Sequence, residues 1–89
     1  MKSKTDRRFR DLLAALPTQV RRQATIAYRQ FLSNPSHPGL RFKQVLSAPP
    51  IYSARIGKSH RAIGSLDGDT VTWFWIGSHA DYDKLLDQL

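Results

Sequence analysis

Chemistry in this chain begins with its cations. Arg41, Lys43, Arg55, Lys58, His60, Arg61 and His79 all fall in the part of the chain whose pattern is that of strands, from residue 40 onward. Strand parity matters for them. If residues 57–59 form a three-residue turn, Arg55 sits opposite Arg61; if the turn is Gly57-Lys58 alone, Arg55 sits opposite His60. In either register two cationic or titratable groups share one sheet face. Like charges facing each other cost stability unless an anion joins them, which is the physical case for a phosphate site. The competing reading is that long arginine stems merely cover a sheet face.

His79 follows an apolar strand and stands near a helix N-terminus. The positive end of that helix disfavours imidazolium. A neutral histidine can take a proton from a ribose 2′-hydroxyl, while His60 or an arginine stabilises or protonates the leaving side. RNA carries its own nucleophile, so this chemistry needs no metal. His79 can equally cap the helix or pack on Tyr82, and His60 can simply cover surface. Tyr52 and Tyr82 are candidates for stacking on bases, or for half-buried core.

Other chemistries have little to stand on. The chain has three histidines and no cysteine or glutamate. It has no HExxH, no close histidine pair, no P-loop, no G-x-S-x-G and no dinucleotide fingerprint. The aspartates Asp67, Asp69, Asp81 and Asp83 read as turn and cap residues. No cofactor or metal is expected. Disulfides and cysteine-ligated zinc are excluded.

The charge balance agrees with an anionic partner. Fourteen Lys and Arg against seven Asp and Glu give +7 in 89 residues, the footprint of a polyanion or acidic-protein partner. The length fits one domain, residues 1–89, with a modest core. The 40% apolar content is that of a globular chain. No apolar run reaches membrane-spanning length, and basic Met1 to Arg10 has no apolar stretch after it. A cytoplasmic protein without a membrane partner is expected.

The elements that must position these residues follow from periodicity. Asp6 caps a first helix carrying Phe9, Leu12, Leu13 and Leu16. Pro17 punctuates. A second helix over Thr18–Leu32 buries Val20, Ala24, Ala27, Tyr28 and Phe31 and shows Arg21, Arg22 and Arg29 outward. The two form a hairpin. SNPSHPG, residues 33–39, is a turn-rich stop, after which the period falls to 2. Leu40 and Phe42 alternate with Arg41 and Lys43 in a first strand. Residues 51–56 and 60–66 form the next two. Asp67-Gly68-Asp69 is a hairpin signal, and TVTWFWI, residues 70–76, is the apolar, central strand. Trp73 and Trp75 share a parity in it: both lie under the helices, or one faces a partner. Ser78 with Asp81 caps a short last helix docked by Tyr82, Leu85, Leu86 and Leu89. The fold class is α+β: a helical hairpin on a small twisted antiparallel sheet, a four-stranded meander, with a short C-terminal helix.

The run Tyr52-Ser53-Ala54-Arg55-Ile56-Gly57, then His60-Arg61-Ala62, Asp67-Gly68 and WFWIGSHADYD, resembles the RelE/ParE superfamily of toxins from type II toxin–antitoxin systems. The upstream ALP and NPSHPGLRFK are similar too, so the likeness runs from about Asp6 to Leu86. It implies a metal-independent endoribonuclease of the histidine-containing branch, cutting ribosome-bound messenger RNA, and a cognate antitoxin. Alternatively it implies a gyrase inhibitor, or a toxin-like binding module without catalysis. By position, Arg55, Arg61, His60 and His79 match the catalytic places of the ribonuclease members. Arg61 corresponds to the arginine of a tyrosine–arginine pair whose tyrosine is His60 here. Lys43, Arg41, Lys58, Tyr82 and Tyr52 fall to RNA binding. Two features depart from the family. Met1 to Thr5 is short and polar, so the usual first strand is truncated or absent. Leu85 stands where some members carry a tyrosine, with Tyr82 three residues earlier.

Overall fold

The computed structural model describes residues 1–89. Its elements run β1 (Lys2–Thr5), α1 (Arg7–Ala14), α2 (Thr18–Ser33), a short 3₁₀ turn (Pro38–Leu40), β2 (Lys43–Ser47), β3 (Pro50–Ile56), β4 (His60–Asp67), β5 (Thr70–Ser78) and α3 (His79–Gln88). The architecture is α+β, with helices packed on a small, mainly antiparallel sheet. No helix is long and apolar enough to cross a membrane.

The sheet has five strands in the order β1-β5-β4-β3-β2. The expected four-stranded antiparallel meander is there as β2 to β5; the correction is a fifth strand at its edge. The polar segment at the N-terminus does form a strand, and it pairs parallel to β5 from Lys2↔Thr70 to Thr5↔Trp73. Its own residues carry no strand pattern, because β1 is an edge strand with no buried side chain. What fixes it lies in β5: the indole Nε1 of Trp73 donates to Ser3 Oγ at 2.9 Å, and the Asp6 amide donates to the Trp73 carbonyl at 3.0 Å. β4, not the apolar β5, is consequently the middle strand.

Asp6 is the N-cap of α1, accepting from the Phe9 amide at 2.8 Å. The turn into α2 is held by Arg21, whose guanidinium donates to the carbonyls of Ala14 and Leu16 and to Thr18 Oγ1. That arginine braces the hairpin and is not simply a solvated cation of the helix face.

The first strand of the meander begins later than the alternation of Leu40 and Phe42 suggests. Pro38-Gly39-Leu40 forms a 3₁₀ turn, the Gly39 amide donating to His37 Nδ1 at 3.1 Å. Arg41 then takes a left-handed conformation, φ 46°. Leu40 is fully buried and Phe42 partly so. Burial of two residues beside a turn, not a strand, produces their period of two.

Two apolar clusters hold the layers. Under α1 and α2, Phe9, Ala24, Ala27 and Phe31 pack on Ala54, Ile56, Ala62, Val71, Trp73 and Ile76. On the opposite face α3 docks through Tyr82 onto Ile51, Ile63 and Trp75. Trp73 and Trp75 therefore lie on opposite faces, which corrects the shared parity. Ile63 pairs with Trp75 while Gly64 pairs with Trp73, so Phe74 is an extra residue in β5. Such a bulge reverses which face the following side chains occupy. Gly64 leaves the room: a Cβ there would sit 2.7 Å from Val71 Cγ1 and 3.0 Å from Trp73 Cε3.

Candidate functional site

The face that α3 covers only in part carries the cations. Ile56 pairs with His60 and Arg55 with Arg61, so residues 57–59 form the three-residue turn. Gly57 occupies the left-handed region at φ +60°, where a glycine costs least. Arg55 folds back on that turn, its Nε donating to the Gly57 carbonyl at 2.8 Å. Antiparallel pairing thus sets two guanidinium-bearing residues side by side, and like charges so placed repel.

α3 brings in the next group. Ser78 is its N-cap, accepting from the Asp81 amide at 3.1 Å. His79 is the first helical residue, and its own amide donates to the Ser59 carbonyl at 2.8 Å. That bond ties the start of α3 to the β3–β4 turn. His60 is fixed from the same turn, its Nδ1 lying 3.0 Å from Ser59 Oγ. The His79 ring stands near Asp83 one turn along, Nδ1 to Oδ1 3.8 Å, and 5.8 Å from the Tyr82 ring.

Together Arg41, Arg55, Lys58, His60, Arg61 and His79 line one concavity of about 210 Å³ with no apolar residue among them. The left-handed turn at Arg41 is what redirects the chain there from the buried Leu40. None of the four Arg and Lys side chains is in an ion pair. Arg61 Nη1 is shut away from solvent without a hydrogen-bond partner, while the guanidinium lies 5.5 Å from the centre of the Tyr82 ring. Such a set offers donors and no acidic group: it can hold an oxyanion. Two imidazoles on its rim can also exchange protons.

Three candidates fall outside. Lys43 is exposed and pairs with Ser53, on the same sheet face but beyond the concavity. Tyr52 is on the helix-covered face, stacked on Phe42 with ring centres 4.8 Å apart. Tyr82 is 5% exposed and anchors α3. Neither tyrosine ring offers a face in the concavity, because one is turned away by strand parity and the other is spent on docking the helix. The residues sequence reasoning passed over are Ser59 and Asp83, the neighbours of the two histidines. Their signals were present in the adjacency Ser59-His60 and in the four-residue spacing of His79 and Asp83 on a capped helix.

Comparison with known proteins bears on the whole fold. The family profile described as ParE-like toxin domain matches residues 18–84. No curated protein matches the chain. Among solved structures, the RelB–RelE antitoxin–toxin complex of Methanococcus jannaschii superposes with a TM-score of 0.72 at 17% identity, over 91% of this chain and 95% of that one. The archaeal RelE–RelB complex of Pyrococcus horikoshii gives 0.69 at 16% identity, over 86% and 92%. The RelBE2 toxin–antitoxin complex of Mycobacterium tuberculosis gives 0.58 at 21% identity, over 90% and 92%. At these identities the likeness is one of fold.

Proposed function

The chain belongs to the ParE-like toxin domain family, and from that premise we propose that it is the toxin of a type II toxin–antitoxin pair, acting in the cytoplasm by holding a phosphate of its target in the cationic concavity. The observation that carries this is the convergence of Arg41, Arg55, Lys58 and Arg61 with two histidines in a pocket that has no acidic lining residue. The repulsion between Arg55 and Arg61 is relieved when an anion binds between them. A cognate antitoxin is the natural protein partner, since the fold relatives from three organisms were solved as antitoxin–toxin complexes. On this reading the toxin holds its target without cutting it. DNA gyrase bound to its DNA is a target of that kind.

One observation favours a second reading, a metal-independent endoribonuclease acting on ribosome-bound messenger RNA. His60 and His79 share the concavity with Arg61, and the Ser59 bonds fix both at one end. In that chemistry His79 removes the proton of a 2′-hydroxyl as its oxygen bonds to the adjacent phosphorus, Arg55 and Arg61 stabilise the phosphorane charge, and His60 protonates the 5′-oxygen that leaves, giving a 2′,3′-cyclic phosphate.

Induced expression of wild type, Arg61→Ala and His79→Ala, with transcript integrity and plasmid supercoiling measured in parallel, separates the two. Holding predicts intact transcripts throughout, with Arg61→Ala lowering target affinity about 30-fold or more and lifting growth arrest. Cleavage predicts cut transcripts in wild type and none in either variant. Growth arrest that survives Arg61→Ala sinks the concavity as the working site.

A further inference from the structure

We infer that the concavity takes a terminal phosphate, the phosphomonoester dianion at the end of an oligonucleotide, in preference to the phosphodiesters inside the chain. This rests on the reading of the concavity as a phosphate site and specifies which phosphate.

Size comes first. About 210 Å³ is below the roughly 300 Å³ at which pockets begin to enclose drug-sized ligands. The space suits an ionic head and excludes an enclosed nucleoside. The lining agrees, because its six side chains are all basic or imidazole. A diester carries a nucleoside on each side and gains from surfaces on which sugar and base can rest. Bases are most often held on the broad faces of Phe, Tyr or Trp, and none of these three lines the concavity, whose only rings are the imidazoles of His60 and His79. Tyr52 is stacked on Phe42 across the sheet, and Tyr82 and Trp75 are 5% and 7% exposed in the α3 cluster.

Charge points the same way. Arg41, Arg55, Lys58 and Arg61 are permanent cations, and none is in an ion pair. A diester brings one negative charge. A terminal phosphate brings close to two at neutral pH and three free oxygens to accept hydrogen bonds. Arg61 Nη1 is enclosed and without a partner, so the charge of that guanidinium is left poorly compensated, and a dianion beside it offsets that more than a monoanion does. An unmade hydrogen bond at a buried charged donor is the costly kind.

The test uses the whole protein and one 2′-O-methyl pentanucleotide in two forms, 5′-phosphate and 5′-hydroxyl, carrying a 3′ fluorophore for anisotropy. The methylated sugar has no free 2′-hydroxyl, so cleavage does not intervene. The phosphorylated form is expected to bind about tenfold more tightly, with inorganic phosphate competing. Arg61→Ala should erase the difference. Lys58→Ala, on an exposed turn where folding is not at stake, should reduce it. Equal binding of the two forms, lost together in Arg61→Ala, overturns the terminal preference and leaves the phosphate reading standing. No binding of either form, or binding that both variants leave unchanged, overturns both.

Discussion

On one face of the sheet, Ala54 pairs with Ala62 beneath Ala24, Ala27 and Phe31 of α2 and Phe9 of α1; on the other, one residue along each strand, Arg55 pairs with Arg61 beside open solvent. The same two strands, in the same register, build both. Small side chains on the first face let the helices approach closely, and burial there supplies the stability. The second face gives up stability at the repelling pair and gains a site. α3 docks through Tyr82 on Ile51, Ile63 and Trp75 and touches only Arg61 among the Arg and Lys residues of the site, so the rest are left uncovered. Covered and open ground are thereby set apart by strand parity together with the short reach of α3, and substitutions in the two should differ in kind.

The largest expected effect is on the covered face. Trp73→Ala removes a 3% exposed side chain and its bond to Ser3. It should cost about 3–5 kcal/mol, read as a lowered midpoint in urea denaturation. Since Ser3 lies in β1, hydrogen exchange should rise across Lys2–Thr5 in the same variant. A loss under 1 kcal/mol would mean that Trp73 does not key the core.

A smaller effect is expected where β5 changes faces. Gly64→Ala places a methyl against Val71 and Trp73, and overpacking of this kind costs about 1–3 kcal/mol. If stability is unchanged, the bulge adjusts freely and does not fix Trp73 and Trp75 on opposite sides.

The smallest stability change belongs to the open face, and its sign is the informative part. Arg55→Gln removes a like-charge pair, which should stabilise by about 0.2–1 kcal/mol at low salt, although the Arg55 bond to Gly57 is lost. Wild type should gain stability as salt rises from about 0.05 to 0.5 M, where screening shortens from roughly 14 to 4 Å, and the variant should gain less. Identical salt responses in thermal unfolding would mean that Arg55 and Arg61 do not repel, and the comparison between the faces would lose its basis.

The sequence by itself determined much of this. Asp6 and Ser78 were legible as caps because their side chains bond within three residues along the chain. α2, β3, β4 and β5 were legible because apolar spacing reports directly on which face is buried. All six residues that line the concavity were legible too, since charge and imidazole are visible in the letters. Tertiary structure decided everything that depends on a distant partner. β1 exists because β5 offers it an edge, and nothing in Lys2–Thr5 records that. One inserted residue, Phe74, put Trp73 and Trp75 on opposite faces, and a bulge leaves no mark in the alternation of apolar letters. Where the rings of Tyr52 and Tyr82 pack, one on Phe42 and one in the α3 cluster, was likewise set by residues distant in the chain. Above all, the sequence left open whether Arg55 meets His60 or Arg61. The three-residue turn settled it, because register is a property of two strands and a turn together, and a single strand's residues cannot specify it.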